Sequence, residues 1–227
     1  MSPSLLGTTL VSFSALNTTR FIKSLLFWLS ILLPVSNSSG SEPSKILVFG
    51  DSISAAYGIQ RDDGWVELLR KKLTEQKLSW QVVNASVSGE TTSGGIVRLP
   101  TILQEHNPKI IIIELGGNDA LRGYPIDIIR DNVTNLVYLG KKFGCTVIIA
   151  GMRIPPNYGI KYTQAFENIF AEVARNTNTA LLPFLLADIS IGNGFVQNDG
   201  IHPTKKAQPI LLKNIWPYVL NAIEEAT

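Results

Sequence analysis

The chain of 227 residues has little of what metal and redox chemistry usually needs. Cys145 is its single cysteine, so no disulfide can close within the chain and no cage of several thiolates can form. Histidine occurs twice, as His106 and His202, so histidine-dependent chemistry has two candidates at most. An excess of one charge is missing as well: 20 Lys and Arg stand against 18 Asp and Glu. That balance gives no reason to expect a nucleic-acid partner, which calls for a clustered basic surface. Neither GxxxxGK[ST] nor GxGxxG follows a strand-like run, which removes the common phosphate loops. What remains is an apolar content of 45% with 17% charged residues. That composition folds, and the length suits one domain.

The first forty residues differ from the rest. They carry no acidic residue, and their only charges are Arg20 and Lys23. The apolar run Ser24 to Leu33 follows, then the small polar stretch Ser36 to Ser41. Basic flank, short apolar run and small residues are the layout of a secretory signal peptide, with a cut after Gly40. The run is short for a membrane span, which needs about 20 residues; an uncleaved anchor is the alternative. The long lead before Arg20 points to a start site further downstream. Removing 1–40 takes away two basic residues and no acidic one, so the domain at 41–227 is formally neutral. The expected location is the periplasm or the exterior, with membrane contact only through the export segment or a lipid substrate.

From Lys45 onward, apolar runs alternate with helical patterns. Lys45 to Phe49, Trp80 to Ala85, Lys109 to Leu115, Thr146 to Ala150 and Ala180 to Phe184 read as five strands. Unbroken apolar runs are what strands buried on both faces look like, and Pro183 assigns the last to an edge. Trp65, Leu68, Leu69 and Leu73 fall at helical spacing, as do apolar residues in 126–139 and 166–174. A final helix follows Thr204, with Pro203 in its first turn. The pattern predicts one α/β domain with a parallel sheet between layers of helices.

Ligands of such sheets bind beyond the carboxyl ends of the strands, and polar residues gather there. The first run ends in Gly50-Asp51-Ser52, the second in Asn84 and then Ser86 to Glu90, the third in Gly116-Gly117-Asn118-Asp119. The last loop is Asp199-Gly200-Ile201-His202-Pro203. Ser52, in a tight turn from strand to helix, is either a nucleophile with backbone amides beside it or a helix cap. Asp199 lies three residues before His202, close enough to fix the tautomer of the imidazole, or the two are a capping pair. Gly89 and Asn118 offer a backbone amide and a side-chain amide, the donors that steady a developing oxyanion; turn chemistry is the plainer reading. His106 belongs to a helix end, where its charge meets the dipole. Cys145 reads as a small buried hydrophobe. No metal is needed once Asp199 and His202 are a pair. Leu121, Met152, Ile154 and Tyr158, on two loops after the third and fourth strands, are candidates to hold an apolar substrate group.

Taken together, GDSIS, SVSGE, GGND and DGIHP, in that order, resemble the SGNH (GDSL) hydrolase superfamily. GDSISAAYGI, RLPTILQEHNP, IELGGNDALRG, AGMRIPPNYG and LLPFLL further resemble its bacterial periplasmic thioesterase, arylesterase and lysophospholipase branch. The resemblance implies a three-layer α/β/α fold with five parallel strands, and hydrolysis of acyl esters and thioesters by a monomer without a cofactor. It implies Ser52 as nucleophile, His202 as base, Asp199 as its orienting partner, and the amides of Ser52 and Gly89 with Asn118 as the oxyanion hole. Glu90 stands where relatives usually carry Asp, and Ala120 where many carry Gly. A carbohydrate O-acetyl esterase of the same superfamily and a non-catalytic secreted α/β binding module are the competing readings.

Overall fold

Ile110, Ile111, Ile112 and Ile113 are all buried, and such a run can hide every side chain only if both faces of its sheet are covered. In the computed structural model, which describes residues 43–226, they form the central strand of five. The strands are β1 (Ser44–Gly50), β2 (Trp80–Asn84), β3 (Ile110–Glu114), β4 (Thr146–Ala150) and β5 (Ala180–Leu182). All pair in parallel, in the order β2-β1-β3-β4-β5. The export segment expected at 1–40 lies outside the described residues.

The helices are α1 (Trp65–Glu75), α2 (Thr92–His106), α3 (Gly117–Leu121), α4 (Ile126–Lys142), α5 (Ile160–Thr177) and α6 (Gln208–Ala226). Because side chains alternate across a strand, consecutive residues of β1 enter different cores. Leu47 and Phe49 pack with Leu99, Val133 and Phe166 of α2, α4 and α5. Ile46 and Val48 pack with Trp65, Leu69, Leu211 and Ile215 of α1 and α6. The expected three-layer α/β/α sandwich is therefore the architecture. Among the described residues no helix is long and apolar enough to cross a membrane.

Several local expectations change. β5 stops at Leu182, before Pro183, which has no N–H for the ladder. Pro203 lies outside the last helix, bridged to Val196. Pro209 occupies the first turn of α6 instead, where a missing N–H leaves no bond unmade. Ser52 does not open a helix: residues 51–59 are successive turns, closed by Ala55 N to Asp51 O at 2.9 Å and Tyr57 N to Ser52 O at 3.0 Å. The sequence pattern marks the end of α2 at His106 but not its body, where Gly94, Gly95 and Pro100 are poor helix formers. A Cβ on Gly95 would press against Leu115 and Phe49, so the glycine is what lets α2 lie close on the sheet.

β1 has β2 on one side and β3 on the other, so the chain changes direction across the sheet between β1 and β3. The crevice beyond the carboxyl ends of these two strands is where this topology places a ligand. Asp51 and Ser52 leave the end of β1 there, and Gly116 to Asn118 leave the end of β3.

Candidate active site

The relay is built by two distant parts of the chain. Ser52 follows β1 directly. His202 belongs to a loop closed by Gln197 N to His202 O and by Thr204 N to Phe195 O, both at 2.8 Å. Gln197 ties this loop to the first turn, donating through Nε2 to Tyr57 O at 2.8 Å and to Pro203 O at 3.1 Å. The Tyr57 ring lies 4.5 Å from the imidazole, centroid to centroid. Gln197 and Tyr57 escaped the sequence reading, since a lone amide or aromatic in a loop gives no periodic signal.

Within this frame His202 Nε2 stands 2.8 Å from Ser52 Oγ, and Nδ1 stands 2.6 Å from Asp199 Oδ2. Asp199 Oδ1 accepts from the backbone amides of Ile201 at 2.9 Å and His202 at 3.0 Å. Partial desolvation pushes the Asp199 carboxyl up, but the hydrogen bonds from those amides and from the imidazole outweigh it, and its pKa falls to about 2. Asp199 thus stays ionised at any ordinary pH. It makes Nδ1 the protonated nitrogen and leaves Nε2 to accept from the serine hydroxyl.

The segments carrying Gly89 and Asn118 are tied to the end of β1 and to Asp51. Gly50 N donates to Ser86 Oγ at 3.1 Å and Val87 N donates to Gly50 O at 3.0 Å, which lays the loop carrying Gly89 against the end of β1. Gly89 has φ +80°, a conformation that disfavours a side chain. Glu90 accepts from Arg98 Nε at 2.8 Å, while Arg98 Nη1 donates to Ala85 O at 2.8 Å, so the longer acid is locked into the loop. Among the described residues, no acceptor claims the Ser52 or Gly89 amide. Asn118 lies in α3, and its Nδ2 donates to Asp51 Oδ2 at 3.0 Å. Neighbouring Asp119 is fully buried and accepts from Thr92 N at 2.9 Å and Thr92 Oγ1 at 2.6 Å, pinning α3 to the start of α2.

A cavity of about 410 Å³ opens beside Ser52. Leu121, Met152 and Ile154 line one side, as the sequence suggested. Tyr158 stands outside it, donating its hydroxyl to Leu121 O at 3.0 Å. A further part of its lining was not anticipated: Phe184, Leu185, Leu186, Ile189, Ile191 and Val196 come from the segment after β5. LLPFLL within that segment was read for its resemblance, while the irregular spacing of the rest hid a wall. His106 ends α2, with its Nε2 3.8 Å from a Glu105 carboxylate oxygen, and Cys145 is buried, donating to Pro108 O at 3.2 Å. Burial pushes the Cys145 thiol up to about 11, against the pull of Lys109, which leaves it unreactive.

A relay of carboxylate, imidazole and hydroxyl beside an apolar cavity is the equipment of an acyl hydrolase. Residues 48–208 match the GDSL-like Lipase/Acylhydrolase family, and the chain belongs to it. It is 45% identical to Esterase TesA of Pseudomonas aeruginosa over 172 residues, which is 76% of this chain and 86% of that protein. It is 37% identical over 166 residues to Thioesterase 1/protease 1/lysophospholipase L1 of Escherichia coli, covering 73% of this chain and 78% of the relative. Among solved structures, psychrotrophic esterase EstA from Pseudoalteromonas sp. superposes with a TM-score of 0.74 at 37% identity, covering 80% of this chain and 97% of EstA. The protein is a hydrolase of ester bonds.

Proposed function

We propose that this protein hydrolyses acyl esters and thioesters of lipid-like chains through a covalent acyl-serine. The observation that carries the reading is the continuous path from Asp199 Oδ2 through His202 to Ser52 Oγ, at 2.6 and 2.8 Å, beside an apolar cavity. Ser52 Oγ attacks the acyl carbonyl while His202 Nε2 takes its proton. The amides of Ser52 and Gly89 and the Asn118 side chain receive the oxyanion. His202 returns the proton to the leaving alcohol or thiol, then activates water to release the acid. No step calls for a cofactor.

The breadth of substrate is suggested by the relatives, whose names include arylesterase from Vibrio mimicus and the thioesterase and lysophospholipase of Escherichia coli. Two apolar walls favour a chain longer than acetyl, which sets this reading against a carbohydrate deacetylase. Export to the periplasm completes the proposal, with residues 1–40 as its signal. N-terminal sequencing of protein recovered from the periplasm tests that part, and an uncut chain retained in the membrane would overturn it.

The activity is tested with p-nitrophenyl esters from acetyl to palmitoyl and with matching acyl thioesters. Hydrolysis that disappears in Ser52→Ala is the expected result. A folded Ser52→Ala variant that keeps its rate would remove the nucleophile. Activity confined to acetyl esters would favour the deacetylase.

A further inference from the structure

The relay leaves two buried acids unused. Asp51 follows β1, Glu114 ends β3, and the register sets Gly50 opposite Glu114, so adjacent strands carry both carboxyls into one dry space. Asp51 is 3% exposed and Glu114 1%. Glu114 Oε2 accepts from Ser54 Oγ at 2.6 Å and from Asp51 N at 3.2 Å. Its Oε1 is buried without a partner. Because the Asp51 amide and Ser54 Oγ bind the same oxygen of Glu114, the two acids are neighbours in that space. Two buried carboxylates this close repel strongly and are poorly solvated, whereas one proton shared between them removes both problems.

We infer that Asp51 and Glu114 hold one proton between them, carried on Glu114, and that the Asp51 carboxylate so preserved is a positioning residue that turns the Asn118 amide donor-first toward the reacting carbonyl. The inference rests on Asn118 serving as an oxyanion donor. An ionised carboxylate only accepts, so it fixes Nδ2 as the end of Asn118 that faces it. That nitrogen carries two hydrogens: Asp51 Oδ2 takes one and the other remains for the substrate. A protonated or amidated residue 51 could instead donate to Asn118 Oδ1. The amide would then turn over and set a carbonyl oxygen against the developing negative charge.

The electrostatics agree with that placement. Burial pushes Asp51 up to about 6, opposed by the Ile53 amide, the hydrogen bond with Glu114, the charge of His202 and Asn118. Burial and the Asp51 charge push Glu114 well above the usual carboxylate range, so Glu114 is the member that keeps its proton at neutral pH. The groups facing the pair are Ser54 from the first turn, Asn118 from α3 and His202 from the C-terminal loop.

The test measures kcat and KM on a p-nitrophenyl ester at neutral pH, with melting curves for each variant. Asn118→Ala should lower kcat about 100-fold, the loss typical of one oxyanion donor. Asp51→Asn should lower kcat similarly with KM within about twofold, and Asp51→Asn/Asn118→Ala should be no slower than the slower single variant. Glu114→Ala should lose kcat at least about tenfold, and Glu114→Gln, which mimics a protonated acid, should restore most of it. A folded Asp51→Asn with kcat within threefold of wild type, or losses that multiply in the double variant, would overturn the inference. Asn118→Ala at full rate would instead sink the oxyanion reading itself. Should Asp51→Asn not fold, the infrared band of a protonated carboxyl decides: it is expected in wild type at neutral pH and lost in Glu114→Gln, and a wild type without it refutes the shared proton.

Discussion

Asp199 reaches Ser52 through His202 and Asp51 precedes Ser52 in the chain, yet their surroundings drive their carboxyls in opposite directions. Asp199 is partly exposed on a loop, wrapped by two backbone amides and an imidazole, and its pKa falls to about 2. Asp51 is buried against Glu114, and desolvation lifts it to about 6. The exposed acid is therefore a permanent charge that holds a histidine. The buried acid belongs to a unit that changes its protonation within the working range. Hydrogen bonds thus make one carboxylate an anchor, and burial beside a second acid makes the other a member of the inferred proton-sharing pair.

The comparison breaks most visibly at Asp199. Asp199→Asn should cut kcat about 10⁴-fold, as expected when the imidazole loses its tautomer control. Its melting temperature at neutral pH should fall only slightly, since an Asn side-chain oxygen can still accept from the Ile201 and His202 amides. A large loss of stability with activity retained would mean that Asp199 caps its loop and does not serve the histidine.

The acid limb of the rate profile sharpens the same contrast. His202 must be neutral to accept the serine proton, and Asp51 must be ionised to hold Asn118. The second requirement fails as pH drops through about 6, the value burial gives Asp51. The acid limb of log kcat should therefore carry a contribution near that value from Asp51, one that Asp51→Asn, already slow, lacks. Asp199 stays ionised across this range and adds no slope. Acid limbs of equal slope in both proteins would separate the buried pair from turnover.

Stability should respond to pH with opposite signs at the two places. The lowered Asp199 contributes stability that is present above its unfolded value of about 3.8 and lost as pH falls toward about 2. A raised acid behaves the other way: its contribution is complete below the unfolded value and lost as pH rises toward the folded value. For Glu114 each unit of that rise removes about 1.4 kcal/mol. Glu114→Gln has no proton to lose, so its melting temperature should gain on wild type steadily from about pH 5 to 8. A constant difference would show that Glu114 ionises as readily in the fold as out of it.

Much of this was legible in the chain, and what was not has definable causes. The four isoleucines of β3 announce a strand buried on both faces, and the four polar loops offered Ser52, Gly89, Asn118, Asp199 and His202 as candidates. Only the end of α2 at His106 was legible, because Gly94, Gly95 and Pro100 obscure the helical pattern of its body. The cavity wall from Phe184 to Val196 was hidden because its side chains converge without regular secondary structure. Glu114 offered one signal, an acid closing an apolar run, but only the register of β1 with β3 shows that it meets Asp51.

The smallest expected effect is also the most discriminating about how the buried pair acts. Ser54 is 2% exposed and donates to Glu114 Oε2 at 2.6 Å, but it does not touch Asn118. Ser54→Ala removes one donor and leaves the bond from Asp51 to Asn118 in place. Thermal melting should show a loss of about 1–2 kcal/mol, the usual effect of stripping a buried acceptor of one partner. kcat should fall no more than about twofold, because the Asn118 amide keeps its acceptor. If the pair worked only by stiffening the end of β1, loosening it at Ser54 would slow catalysis as much as Asp51→Asn does. Unequal losses from the two variants, set against their melting temperatures, therefore separate an acid that aims an amide from an acid that merely fills a space.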